Sequence, residues 1–261
     1  MQHHHERASA PMSLVSGRFS LMGLILLACE AVAVGGQYAD PSGFSFTYPD
    51  GWVPITRAAM GDVDQIVPPK MKSWIAEQNI DLNRIKVILV RDARGAYLAN
   101  LNFVVLGQQI PVNEQAAKRL TETLVRKYES MGMTVADIKG HVRRYGKRQT
   151  IVVEYQVNMP GVPVPLRQMQ VVFPGGGKSF LVTCSGAADS FASHRPTFDQ
   201  ILTSVQVPEP LASGPDWDRV AIVAGSAVGA VIGALAVVLI RLSRKSKPKK
   251  ELDGPAEADE R

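Results

Sequence analysis

The chain has 261 residues, which allows one or two domains at about 150 residues each. Hydrophobic residues make up 46% and charged residues 20%, a balance that excludes wholesale disorder, a collagen repeat and a polytopic membrane protein. The net charge of +5 does not predict a nucleic-acid binder, because part of the excess lies in residues 241–261, directly after an apolar segment.

The N-terminal segment has the pattern of an export signal. Arg18 precedes a short apolar run, and residues 31–33 (AVA) form a small-x-small cleavage site. We therefore expect residues 1–33 to be a signal peptide, with Met12 as an alternative start of that signal. A second pattern, LLAC, ends at Cys29 and resembles a bacterial lipoprotein box, which makes Cys29 an alternative lipidation site.

Residues 37–207 are the only segment large enough to form a core, and we expect them to be an extracytoplasmic domain. Alternating aromatic residues from Phe44 to Tyr48 predict a half-buried strand. Residues 49–51 (PDG) predict a turn into a return strand that begins at Trp52. The next predicted elements are a short helix over 69–79 and strands over 85–90 and 98–106.

The sequence of the second half of this domain predicts one long helix, two hairpins and a closing helix. Asn113 is a helix cap, and the apolar residues that follow it at helical spacing are Ala117, Leu120, Leu124, Tyr128 and Met131. The predicted strands are 141–145 and 150–157, then 166–173 and 179–184, with glycine-containing turns between the members of each pair. A helix from Phe191 or Pro196 to Leu202 and a short strand over 205–207 close an α+β domain with a largely antiparallel sheet.

Two stretches carry a resemblance to a known family. Residues 44–52 (FSFTYPDGW) resemble the opening of PsbP-like domains, a group that includes Mog1-like and DcrB-like proteins. Residues 180–185 (FLVTCS) and 198–205 (FDQILTSV) resemble its closing strand and helix, although Val205 replaces an aromatic residue. The resemblance covers about residues 38–207 and implies an α/β/α sandwich. It implies no single function and no set of catalytic residues.

A cluster of basic residues lies at the first predicted hairpin turn. Arg143, Arg144, Lys147 and Arg148 place four positive charges within six residues. Such a cluster is a candidate patch for an anionic partner. The alternative is that these charges protect the strand ends from pairing with other sheets.

No pattern of catalytic or metal-binding residues stands out in this domain. Cys184 alternates with Phe180 and Val182 on one strand face, which predicts a buried apolar cysteine. His141 and His194 are too isolated to indicate a zinc site or a nucleophile–base pair. Residues 175–178 (GGGK) do not form a phosphate-binding loop, because the first glycine of that motif is missing and a strand is predicted to follow. We predict no cofactor and no metal.

The C-terminal segment has the pattern of a membrane anchor. Residues 208–219 are rich in proline and predict a linker, and residues 220–240 contain no charge over a length that can span a bilayer. Six basic residues in 241–250 predict that this flank stays in the cytoplasm. We expect a single-pass membrane protein with its domain outside the cytoplasm and a basic cytoplasmic tail, 241–261.

Small residues mark one face of the predicted span. Gly225, Gly229 and Gly233 repeat every four residues, the spacing at which two helices can approach closely. These glycines are a candidate homodimer contact. Coincidence in an alanine- and glycine-rich span is the alternative.

The sequence leaves three functional hypotheses open. The first is an anchored, non-catalytic binding or protein-interaction module whose partner is an envelope protein or a small apolar ligand. The second is an envelope hydrolase with a site assembled only in three dimensions, for example from Cys184 and His141 or His194. The third is a structural dimer paired through the membrane span.

Overall fold

The structure is a computed structural model and describes residues 34–60, 84–91, 99–158 and 164–212. Nine strands and three helices lie in this part of the chain. The strands are β1 Val34–Ala39, β2 Ser45–Pro49, β3 Trp52–Thr56, β4 Ile85–Arg91, β5 Asn100–Leu106, β6 Thr134–Tyr145, β7 Arg148–Asn158, β8 Leu166–Gly175 and β9 Lys178–Ala187. The helices are α1 Arg57–Met60, α2 Glu114–Ser130 and α3 Phe191–Ser204.

Seven of these strands form one antiparallel sheet. Its order is β3-β4-β5-β9-β8-β7-β6, and β1 and β2 form a separate two-stranded sheet. Neighbours along the chain pair in two runs, β3 to β5 and β6 to β9, and the pairing of β5 with β9 joins the runs. The α+β class with an antiparallel sheet, predicted from the sequence, is confirmed.

Helices cover both faces of the large sheet. On one face Tyr145 of β6 donates a hydrogen bond to Asp199 of α3 at 2.8 Å. On the other face, the hydroxyl oxygens of Tyr155 on β7 and Tyr128 on α2 lie 2.9 Å apart. Near α2 a side chain at Gly140 of β6 would collide with Thr121, so glycine permits the close approach of helix and strand.

The aromatic residues at the start of the domain fix the small sheet on the large one. The rings of Phe44 and Phe46 stack on Phe103 of β5, with centroids 5.2 Å and 4.3 Å away. All three side chains are almost completely buried. The backbone N–H of Thr47 also donates to the Ser204 hydroxyl at 2.9 Å, which ties β2 to the end of α3.

Both predicted glycine hairpins are present. Gly146 and Lys147 join β6 to β7, and β6 begins at Thr134, seven residues before the predicted start. The second turn is shorter than the predicted 174–177, because Pro174 and Gly175 still pair within the sheet. Gly176 and Gly177 form the turn with φ of 58° and 75°, a backbone region that glycine adopts without strain.

The predicted pairing of the strand from Phe44 to Tyr48 with a return strand that begins at Trp52 is wrong. β2 pairs with β1, and β3 pairs with β4 in the other sheet, so Pro49 to Gly51 carry the chain between two sheets. The physical reason is that Trp52 lies in the core, with its ring 5.9 Å from that of Phe198 on α3. Trp52 is therefore a core residue at the start of β3, and β3 does not pair with β2.

The helix predictions have mixed outcomes. The Asn113 side chain accepts a hydrogen bond from the backbone N–H of Ala116, and the predicted apolar stripe faces the sheet. α3 begins at Phe191, with Pro196 inside it. No strand forms over 205–207, where a single bridge joins Gln206 to Ser45. The predicted helix over 69–79 lies outside the described residues.

The membrane predictions also fall outside this part of the chain. Within the described ranges no helix combines the length and apolarity needed to cross a bilayer. The predicted signal peptide 1–33, the span 220–240 and the tail 241–261 are not among the described residues.

Truncation of the central ring should test the aromatic stack. We expect Phe103→Ala to lower the free energy of unfolding by about 3–5 kcal/mol, because it removes the ring on which two others stack. Val53→Ala is the matched control, since Val53 is 47% exposed, and it should change stability by less than about 0.5 kcal/mol. Urea denaturation followed by tryptophan fluorescence measures both. Equal losses in the two variants would contradict the role given to Phe103.

Candidate functional site: a basic groove at one end of the sheet

An open groove of about 500 Å³ lies at one end of the large sheet. The turns β6–β7 and β8–β9 meet there with the segment that leads into α2. The groove is lined by Gln109, Ile110, Pro111, Val112, Arg144, Lys147, Arg148, Gln149, Pro174, Glu209 and Pro210. Three of the four basic residues that the sequence singled out therefore border one cavity.

The groove carries an excess of positive charge. Arg144 and Lys147 are exposed, and neither has a carboxylate partner within the described ranges. Glu209 is the one acidic residue in the lining, and its carboxylate binds Arg148 through both oxygens. The groove thus offers two exposed cations next to the tight β6–β7 turn, beside a lining of proline and aliphatic side chains.

The fourth basic residue lies elsewhere. Arg143 has the opposite orientation to Arg144, because neighbouring residues of a strand point to opposite faces. Its guanidinium lies 3.4 Å from the Asp199 carboxylate and 4.6 Å from the centre of the Tyr145 ring. Arg143 therefore belongs to the contact between β6 and α3 and not to the groove.

This contact contains a half-buried network of charges. Arg195 of α3 binds Glu154 of β7 at 2.9 Å and Asp199 at 3.3 Å. Burial lowers the pKa of Arg195, but hydrogen bonding and attraction to Glu154 outweigh that effect and raise it. Burial and the hydrogen bond to Asp199 raise the pKa of Tyr145, so its hydroxyl stays protonated. These groups hold α3 in a fixed position on the sheet.

A short C-terminal strap, residues 206–211, closes one side of the groove. The Gln109 side chain donates to the carbonyl of Leu211 at 2.7 Å and accepts from its backbone N–H at 3.0 Å. The backbone N–H of Gly176 donates to the carbonyl of Glu209 at 2.9 Å, and Arg148 donates to that of Val207 at 3.0 Å. Nothing in the sequence around Gln109 or Glu209 indicated that these residues belong to the site, since neither residue stands out locally.

The candidate catalytic residues are not brought together. Cys184 is fully buried, and burial raises the pKa of its thiol well above the usual value, so no thiolate nucleophile is available there. His194 contacts Arg91 of β4, while His141 lies on β6, and β5, β9, β8 and β7 separate these strands. The version of the hydrolase hypothesis that depends on Cys184 is therefore wrong.

Two other predicted sites cannot be placed. Cys29 and the glycines Gly225, Gly229 and Gly233 lie outside the described residues. Among the residues that are described, no group of three or more histidine, cysteine or acidic side chains has an arrangement that could hold a metal ion.

Comparison with known proteins gives structural likeness only. No family model and no curated protein matches this chain. Cyanobacterial PsbP from Synechocystis is similar at 19% identity and a TM-score of 0.45, over 70% of this chain and 98% of that one. LpqN of Mycobacterium tuberculosis, described as involved in cell envelope biogenesis, is similar at 12% identity and a TM-score of 0.37, over 66% of this chain and 91% of that one.

A protein of unknown function from Pseudomonas aeruginosa is also similar, at 15% identity and a TM-score of 0.35, over 67% of this chain and 98% of that one. Identities and TM-scores this low carry nothing about activity, ligand or partner.

The histidine beside Arg91 should make stability depend on pH. Burial, with a smaller effect of Arg91, lowers the pKa of His194 below 6.5. The unfolded chain then binds a proton more readily than the folded chain, so stability falls as the pH drops below about 6.5. We expect His194→Gln to reduce this fall, as measured by thermal unfolding across that range. His141→Gln is the control, and an unchanged pH profile in His194→Gln would contradict the assignment.

Proposed function

We propose that this chain is a membrane-anchored, extracytoplasmic binding module that holds an acidic segment of another envelope protein in its basic groove. The observation that carries the proposal is the convergence of Arg144, Lys147 and Arg148 on one open cavity. A signal peptide at 1–33 and an anchor at 220–240, as the sequence predicts, would keep the module at the outer surface of the membrane.

The charges of the groove favour an acidic partner over a neutral one. Arg148 is already neutralised by Glu209, which leaves Arg144 and Lys147 available to carboxylates. Pro111, Val112 and Pro210 lie beside them and can pack against the aliphatic parts of a peptide. An extended acidic segment combines both features, whereas a small apolar ligand would leave the two cations unused.

Nothing in the described domain favours catalysis as its role. Its buried thiol is protonated, and the half-buried ion pairs between α3 and the sheet are mutually satisfied. The non-catalytic hypothesis therefore remains the one that the groove supports best.

Charge reversal in the groove tests the proposal. We expect Arg144→Glu/Lys147→Glu to weaken the binding of a labelled hexa-aspartate peptide about tenfold or more, since two exposed ion pairs are lost and replaced by repulsion. Fluorescence anisotropy with the full chain in detergent measures the affinity, which should also fall as salt is raised.

The control is Lys118→Glu/Arg126→Glu, which makes the same change of net charge on exposed positions of α2. This variant should bind the peptide nearly as the wild type does. If both double variants lose binding equally, the effect is one of net charge and the groove is not the site. Binding of hexalysine as tight as that of hexa-aspartate would also contradict the proposal.

The anchor is tested separately by fractionation of cells. We expect deletion of 220–240 to release the protein from the membrane fraction, because this uncharged segment is long enough to span a bilayer. Deletion of 251–261 is the control and should leave the protein in the membrane. Retention after deletion of 220–240 would contradict this anchor, and Cys29→Ser in that background would then test attachment through a lipid.

A further inference from the structure

The ion pair between Arg148 and Glu209 lies in the lining of the open groove, and its two halves differ in exposure. Both oxygens of the Glu209 carboxylate accept hydrogen bonds from the guanidinium, at 2.5 Å and 2.7 Å. The Arg148 side chain is only 20% exposed, whereas the Glu209 side chain is 85% exposed. The carboxylate is therefore the half of the pair that solvent reaches and that a second carboxylate in the groove can replace.

The guanidinium of Arg148 is held in place by a contact that does not involve the carboxylate. One of its terminal nitrogens also donates to the carbonyl of Val207 at 3.0 Å. The backbone of Arg148 is paired with Tyr145 at the closed end of the β6–β7 hairpin. An arginine held in this way presents a planar fork that fits the two oxygens of a carboxylate. The fork keeps its orientation when Glu209 turns away.

The backbone on either side of Glu209 is also held independently of its side chain. The N–H of Gly176 donates to the Glu209 carbonyl at 2.9 Å. Two residues further on, the Gln109 side chain binds both the N–H and the carbonyl of Leu211, at 3.0 Å and 2.7 Å. The Glu209 carboxylate can therefore leave Arg148 while the C-terminal strap stays in place.

Exchange of one carboxylate for another on Arg148 costs little. An exposed ion pair is weak, because water and salt screen it, and an incoming carboxylate makes the same two bonds to the fork. A segment with further carboxylates also gains from Arg144 and Lys147, which have no carboxylate partner within the described ranges. A segment with a single carboxylate does not combine these gains.

We propose that Arg148 is a third carboxylate-binding position of the basic groove, and that Glu209 fills it in the free protein as an internal competitor. This inference rests on the proposed function and names the chemistry that its partner needs. The acidic segment binds Arg144 and Lys147 and replaces Glu209 on Arg148 with one of its own carboxylates. The groove thereby favours segments with several carboxylates over segments with one.

Removal of the competitor should strengthen binding. We expect Glu209→Gln to bind labelled hexa-aspartate about two- to fivefold more tightly than the wild type, because Arg148 is then open to the peptide from the start. Fluorescence anisotropy with the full chain in detergent measures the affinity. The variant should melt as the wild type does, since the replaced side chain is mostly exposed and the strap keeps its backbone bonds.

A charge-conserving variant separates competition from simple repulsion. Glu209→Asp keeps the negative charge but shortens the side chain by one methylene group, so the carboxylate no longer fits the fork of Arg148 equally well. We expect it to tighten hexa-aspartate binding about twofold. Glu129→Gln is the control for net charge, because Glu129 is an exposed residue at the far end of α2, and it should leave the affinity unchanged.

Nuclear magnetic resonance of the side-chain carboxyl groups observes the displacement directly. The full chain carries glutamate labelled with ¹³C at the carboxyl carbon, and the loss of one signal in Glu209→Gln identifies Glu209. Hexa-aspartate should move this signal to the range of exposed glutamates such as Glu129. A hexa-asparagine peptide, which has no carboxylate side chain, should leave it in place.

The inference is overturned if hexa-aspartate binds through Arg144 and Lys147 while the Glu209 signal keeps its position and Glu209→Asp binds as the wild type does. The proposed function stands in that case, with two cations as the whole site. Equal tightening in Glu209→Gln and Glu129→Gln would also overturn the inference, because net charge would explain both. If Arg144→Glu/Lys147→Glu binds the peptide as the wild type does, the proposed function fails, and the inference fails with it.

Discussion

The alternation of side chains along the central strands is the constraint on which the rest of this structure depends. β5 sends Leu101 and Phe103 into the aromatic core and Asn102 to the opposite face of the sheet, and β9 and β8 divide their apolar and polar side chains in the same way. A shift of the register by one residue would exchange the two sets and place polar side chains against Phe44 and Phe46. The stack of rings on Phe103 opposes that shift, and it also holds the small sheet in place.

The same alternation separates two neighbouring arginines. Arg143 binds Asp199 on the α3 side, while Arg144 turns to the groove. A period of two along the predicted strand could have revealed this division from the sequence alone. What the sequence could not supply is the other wall of the groove, because Gln109 and Glu209 are far from the hairpin along the chain and reach it only through the folded sheet.

Short sequence signals predicted the hairpin turns and the start of α2, because these features depend on residues that are close together in the chain. The glycines at 146 and 176–177 determine two hairpins, and Asn113 begins α2 through its own side chain. The prediction failed where a local signal was overruled by distant contacts, as at residues 49–51, where Trp52 packs against α3 instead of continuing a hairpin. The sequence also offered no sign that Asn102 of β5 and Thr183 of β9 are neighbours, because this pairing joins residues about 80 positions apart in the chain.

The C-terminal strap has a consequence for how far the domain can move. Residues 206–211 would extend about 20 Å if they hung loose, at about 3.3–3.6 Å per residue. Gln109, Gly176 and Arg148 hold them against the sheet instead. If residues 220–240 span a membrane as proposed, this fixed stretch does not add to the distance between the domain and the bilayer. The reach of the domain above such a membrane would then depend on the residues after Leu211, since Gln109 holds Leu211 itself against the domain.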